Sequence, residues 1–285
     1  MSDKQLDPRV NAFRDDLAAA SLKDKVAVGR YSSGKTRQVS DGSAALRRDP
    51  RHDAALDTEL LFGETVCVFD EQEGWAWVQA SSDSYVGYVS TDALSSHVFP
   101  ATHRVSVLRT HIYPVADIKF PPLELLSMNS LVSVEDVNGR FARLKDGRFA
   151  IASHLLPVGE FAEDMVSIAQ TLLGSPYLWG GRTSTALDCS ALIQISMQAA
   201  GMDCPRDSDM QENALGEALD DPQDVSSYKR GDLIFWSGHV GMMLDAERLL
   251  HANAHHMSTV IEPVVEAIFR IGENDNPVTS VRRLS

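Results

Sequence analysis

The chain has 285 residues, 44% of them hydrophobic, and carries 26 Lys and Arg against 40 Asp and Glu, for a formal net charge of -14. That length holds roughly two domains or three small ones, and the apolar share is enough for packed cores, which excludes a disordered chain. The acidic balance argues against non-specific partners such as nucleic acid or an anionic membrane.

The first residues, MSDKQLDPRVNAFRDDLAAAS, have charges throughout and no continuous apolar stretch. They do not read as a secretory signal, and no apolar run approaches the roughly 20 residues of a membrane helix. The expected location is therefore cytoplasmic. Residues 1–35 read as a polar N-terminal arm with a short helix over Val10–Ala20.

From about residue 36 the pattern becomes short alternating strands. Val66–Phe69, Trp75–Val78 and Tyr85–Val89 are separated by the turn-forming Glu71-Gln72-Glu73-Gly74 and Ser81-Ser82-Asp83-Ser84. This spacing predicts a small barrel over 36–98. Cys67 falls inside such a strand and is expected in its core. Trp75, Trp77 and Tyr88 are expected as packing aromatics rather than a ligand platform. A second run, over 99–158, repeats the layout with Val105–Leu108, Ser130–Val134, Arg140–Leu144 and Arg148–Ile151. Asn138-Gly139 and Asp146-Gly147 are hairpin signals there. Gly87–Leu94 and Phe149–Leu156 end the two runs alike, a weak internal repeat.

After Pro157 the texture changes to helices followed by strands, an α+β pattern over 159–285. Phe161–Leu173 has helical spacing and stops at Gly174-Ser175-Pro176. Asp188–Ala200 is a second helix, with Asp188 as N-cap and Gly201 as its stop. Asp232–Trp236, His239–Leu244, Arg248–Ala252 and Val278–Arg283 read as antiparallel strands.

The chemistry concentrates in residues 174–192, GSPYLWGGRTSTALDCSAL. Cys189 lies between an acid and a serine where the second helix begins. A thiol there is near unpaired backbone N–H groups and the positive end of the helix dipole, which favours the nucleophilic thiolate. His239 opens a strand after the Ser237-Gly238 turn and is placed to take or hold the thiol proton. His251, on the next strand, would fix the tautomer of His239 as the third member of a triad. The other cysteines, Cys67 and Cys204, make an odd set of three without C-x-x-C, so neither a disulfide framework nor a zinc ribbon is indicated. Cys204, in a turn, is expected to be structural.

SPYLWGG…DCSALIQ, then RGDLIFWSGHVGMML and LLHANA, resemble the NlpC-type cell-wall peptidases, papain-like cysteine endopeptidases that cut the peptide stems of bacterial peptidoglycan. The resemblance covers about 159–285. One departure is Ala191, where the family commonly has Gly; Ala is a good helix former, so activity is expected to survive it. Upstream, the chain is similar to the family's bacterial SH3-like modules, and Asp57–Glu64 is similar to the segment opening the first module in the intracellular recycling branch. The implied fold class is α+β: two small SH3-like β-barrels followed by a papain-like peptidase domain.

That branch removes L-Ala-γ-D-Glu from free stem peptides, cutting before diaminopimelate or lysine. The resemblance therefore implies a peptide substrate with an unblocked amine and calls for no cofactor. Tyr177, Asp188, Ser190 and Asp207 sit at matching family positions and are expected to receive the ammonium, with Glu64 from the first module closing the end of the site. Arg182 and Arg206 are candidates to pair with substrate carboxylates. Two rivals stand beside this reading: a catalytically inactive cell-wall peptide-binding protein, and a zinc site built from Cys189, His239 and His251. The diamino acid after the scissile bond, the oligomeric state, and recycling against processing of foreign wall fragments stay open in the sequence.

Overall fold

The computed structural model describes residues 6–273 and 275–284. The chain divides into two compact units, Met1–Val158 and Gly159–Ser285.

The first unit is built of short strands in two groups, each with its own core. The first group is a seven-stranded sheet in the order Leu56–Leu61, Ser43–Arg47, Val86–Ser90, Trp75–Ala80, Thr65–Gln72, Lys35–Val39, Leu94–Ser95. Its pairs are antiparallel. Alternation puts Val66 and Val68 inside with Leu46, Leu60, Ala76 and Val78. The second group is a five-stranded sheet, Glu124–Ser127, Arg109–Tyr113, Phe149–Ile151, Phe141–Leu144, Val134–Asn138, beside a three-stranded one. Ile112, Leu126, Val132, Ala142 and Leu144 fill its core, and Phe62 reaches into it from the first group.

Two expectations fail in this unit. Val10–Ala20 is not a helix: Leu17–Ala19 is a strand paired in parallel with Arg30–Ser32, followed by a 3-10 turn at Ala20–Leu22. Ala12, Leu17 and Leu22 pack around Trp77, and Arg14 lies over the Trp77 ring while pairing with Asp70. These tertiary contacts outweigh a weak helix preference. Cys67 is half-buried rather than in the core. Val66 and Val68 take the inner face of its strand, so period two turns Cys67 outward, toward the Ser33 carbonyl.

In the second unit, an antiparallel sheet runs Glu217–Ala218, Val278–Arg283, Leu233–Trp236, His239–Met243, Arg248–Asn253, Ser258–Pro263. Helix α1 (Met165–Thr171), capped by the Asp164 side chain, packs on α2 (Cys189–Ala199). α2 in turn packs on the strands of His239 and Arg248. Every residue of α2 except Gln198 is buried. A helix buried almost all round belongs in a centre; of its polar residues, Ser196 donates to the Leu192 carbonyl and the Gln194 amide N–H to that of Cys204. Two short helices, α3 (Ser208–Ala214) and α4 (Val264–Gly272), and the Ser258–Pro263 strand go beyond the sequence reading. Among the described residues no helix is long and apolar enough to cross a membrane.

Gly63 is the tightest joint of the first unit. Its φ is 81°, and an added Cβ would sit 2.0 Å from the Leu131 carbonyl oxygen, whose own N–H donates to Phe62. Gly63→Ala is expected to destabilise this unit by about 1–3 kcal/mol, read as a lowered midpoint in thermal or urea unfolding. An unchanged midpoint would show that the joint relaxes freely.

Candidate active site

Cys189 is the first residue of α2, directly after the N-cap Asp188. Its Sγ accepts the backbone N–H groups of Ser190 and Val240. The second of these ties the thiol to the strand that His239 begins. Gly238, at φ 73°, makes the tight turn that delivers His239 there, opposite Trp236.

His239 and His251 meet across neighbouring strands. Met242 faces Leu250, so the ladder continued by one residue sets Gly241 beside His251 and places His239 diagonally on the same face. Nε2 of His239 lies 2.8 Å from Nδ1 of His251. His251 faces Val260 on its other side, and Glu262 is again the diagonal neighbour. Nε2 of His251 is 2.5 Å from Oε1 of Glu262, and Arg270 of α4 pairs with that same oxygen. Glu262 and Arg270 were not among the expected site residues. The strand after His251 had not been read, and its register is the signal that would have placed Glu262 beside that ring.

The electrostatics run against the thiolate that the helix dipole favours. Cys189 is 6% exposed; burial, then the Asp188 carboxylate, push its thiol up to about 12, against the pull of the Val240 and Ser190 N–H groups and Arg206. Burial, then His251 and Arg270, bring His239 down to about 3, with Glu262 opposing. Both shifts run toward a neutral thiol beside a neutral imidazole. His251 is fully buried, and that burial lowers it against the raising effect of Glu262. Burial favours a protonated Glu262, but His251 and Arg270 hold its carboxyl below the usual range.

Asp188 sits in a dense network of hydrogen bonds. Oδ1 accepts from Ala191 N–H (2.9 Å), the Ser190 hydroxyl (3.2 Å) and Arg206 (3.0 Å). Oδ2 accepts from Gly180 N–H (3.0 Å) and Arg206 (2.7 Å). A carboxylate offers roughly four lone-pair sites, so this one is saturated. Ser190 is drawn into the same network, accepting from Arg206 at 2.8 Å. Arg206, 1% exposed, is a structural partner of Asp188 and not a receptor for substrate carboxylates. Arg182 is equally buried and donates to Gln198.

Tyr177 stays at the site: burial, then Cys189 and Asp188, raise its hydroxyl. Asp207 stands at the N-cap position of α3 without a side-chain cap bond, next in sequence to Arg206. The structure thus brings Cys189, His239, His251, Tyr177, Asp188 and Ser190 to one end of α2. Glu64 lies in the first unit, buried, with Oε2 accepting the Leu61 N–H at 2.9 Å. The histidine nitrogens facing each other at 2.8 Å form a hydrogen bond, so they do not converge with Cys189 on a shared zinc ion.

Residues 174–270 match the NlpC/P60 family, and residues 46–94 match the bacterial dipeptidyl-peptidase SH3 domain. A gamma-D-glutamyl-L-lysine dipeptidyl-peptidase of Bacillus subtilis is 28% identical over 239 residues, covering 76% of this chain and 79% of that protein. Dipeptidyl-peptidase 6 of Lysinibacillus sphaericus is 24% identical over 74% of this chain and 84% of its own. In fold, the chain is similar to an NlpC/P60 family protein of Bacillus cereus, with a TM-score of 0.72 and 19% identity over 87% of this chain and 99% of that one.

A thiol held this high forms thiolate only as pH climbs. Alkylation of Cys189 by iodoacetamide without substrate is expected to quicken about tenfold per pH unit from about pH 6 to 9, followed by mass spectrometry of the Cys189 peptide. A rate already at plateau in acid would reveal a thiolate–imidazolium pair instead.

Proposed function

We propose that the chain, whose residues 174–270 match the NlpC/P60 family, is a cysteine peptidase that cleaves the bond between γ-D-glutamate and the following diamino acid in free peptidoglycan stem peptides, releasing L-Ala-γ-D-Glu. The observation that carries this reading is the union, in one chain, of the Cys189–His239–His251 arrangement with an SH3 segment matching that of bacterial dipeptidyl-peptidases. The named activity of the Bacillus subtilis relative, similar over most of both chains, supports it.

In this reading Cys189 Sγ attacks the γ-carbonyl carbon while its proton passes to His239. Because the resting thiol is neutral, proton removal and attack belong to one step, with His239 as general base. Ser190 N–H is taken by Sγ and Ala191 N–H by Asp188, which leaves the Cys189 N–H to stabilise the oxyanion. The C–N bond then breaks, the departing amine takes the proton from His239, and a thioester remains. Water, deprotonated by His239, attacks the thioester; the dipeptide leaves and the thiol regains its proton. His251 orients His239 throughout. Tyr177 and Asp207 receive the free amine, and Asp188 acts indirectly by holding Arg206 and Ser190 in place.

The test is L-Ala-γ-D-Glu-L-lysine, or its diaminopimelate counterpart, with products followed by mass spectrometry. Wild-type protein is expected to release L-Ala-γ-D-Glu, and Cys189→Ala to release none while keeping its fold. Acetylating the substrate amine is expected to abolish turnover. With the free peptide, kcat/KM is expected to fall above about pH 8, where an α-amine loses its proton. Equal cleavage of free and acetylated peptides would defeat the amine-recognition part. Binding of the peptide by wild type without any cleavage would favour the inactive binding protein.

A further inference from the structure

We propose that Glu262, anchored by Arg270, is a positioning residue of the catalytic centre: it dictates which ring nitrogen of His251, and through it of His239, carries the proton.

The hydrogen bonds set the protons from Glu262 inward. An ionised carboxylate only accepts. With Glu262 Oε1 at 2.5 Å, His251 Nε2 must therefore carry a proton and donate it. A neutral His251 then has a bare Nδ1, which accepts across the 2.8 Å contact from Nε2–H of His239. A neutral His239 is left with a bare Nδ1, the form that can take the thiol proton. Reverse the order and His239 bears its proton on Nδ1, where it cannot act as base.

The reverse order has a ready sponsor in the same site. Nδ2 of Asn253 lies 2.9 Å from His251 Nε2. Its orientation is set, because Oδ1 of that amide accepts the His256 N–H at 2.8 Å. An amide N–H only donates, so alone it would make Nε2 the acceptor and turn the whole chain of bonds around. Glu262 and Asn253 compete for one nitrogen, and the charged, closer acceptor prevails. Arg270 pairs with the very oxygen that faces His251 and so fixes its position.

The charged and titratable groups around His251 are few. His239 faces it from the neighbouring strand, Glu262 from the other side, Arg270 from α4, and His256 from the following turn. Helix α2 contributes Cys189 at its first turn, with the paired Asp188 and Arg206 beside it. Glu262 alone among them accepts from Nε2 of His251.

This inference deepens the hydrolase reading, and its kinetic arm rests on that reading; its spectroscopic arm needs no substrate. Ring ¹⁵N spectra of the resting protein with labelled histidine, assigned by signal loss in His239→Ala and His251→Ala, are expected to show both rings neutral and protonated on Nε2. In Glu262→Met both rings are expected to move the proton to Nδ1, with kcat about 10²-fold lower and KM changed less than about threefold. Glu262→Gln keeps an acceptor oxygen at the same length, and is expected to keep the wild-type proton order and recover much of kcat. A wild-type His239 protonated on Nδ1 would overturn the proposal, as would Glu262→Met with wild-type ring signals. Should Glu262→Met fail to fold, the wild-type spectrum and Glu262→Gln still decide. The expected proton order together with no cleavage of any stem peptide would count against the hydrolase reading and leave the positioning role intact.

Discussion

A helix buried on every side can meet substrate only at its end, and α2 is such a helix. Its first turn carries backbone N–H groups with no intrahelical partner, in a place where water cannot satisfy them all. The Asp188 carboxylate resolves this by capping Ala191 N–H, and it brings its own charge inside with it. That charge is tolerable because Arg206 meets it through two nitrogens. Removing one member of such a pair costs about 3–5 kcal/mol, since the other is left buried and uncompensated. Cys189 is therefore set in position by a buried ion pair at the start of its helix.

The same burial decides the state of the nucleophile. From the sequence, the helix dipole favours a thiolate, an effect of about 0.3–1 kcal/mol and at most about 2. Raising a thiol from 9.0 to about 12 corresponds to about 4 kcal/mol in the opposite direction. Desolvation and the neighbouring Asp188 win. Position along a helix is visible in sequence, whereas the depth of that helix in the fold is not, and here depth sets the sign. A neutral resting pair throws the weight of activation onto the base, so the orientation of the imidazoles matters more than a stored charge on sulfur.

What the sequence made legible follows the range of each interaction. Cys189 and His239 stand next to turn residues, Gly201 closes a helix, and the strands before and after the catalytic turn have clear patterns; all are local signals. The N-cap role of Asp188 was legible for the same reason, while its pairing with Arg206, 18 residues on, was not. Val10–Ala20 was misread because Ala-rich, amphipathic spacing fits a helix until Trp77 offers its face to Leu17 and Leu22. Cys67 was misread by assigning a whole strand to the core when only alternate residues enter it. Glu262 escaped because its role depends on pairing register with a strand that residue composition alone marks weakly.

Register is also what makes the relay possible. His239, His251 and Glu262 lie on three adjacent strands, each one diagonal step from the next. A diagonal step spans about 7–8 Å between backbones, too far for short side chains but within reach of two imidazoles or an imidazole and a glutamate. Gly241 stands beside the middle ring, where an added Cβ would come within 3.2 Å of the His251 Cβ and 2.8 Å of Leu249; the missing side chain leaves that diagonal open. Sliding the Ser258–Pro263 strand by one residue would turn Glu262 to the opposite face of the sheet and leave Asn253 unopposed at His251. In the proposed relay, the hydrophobic pattern that pins this sheet against α2 thus also fixes which nitrogen of His239 carries the proton, so that the packing of the core and the order of protons along the relay are set by one alignment.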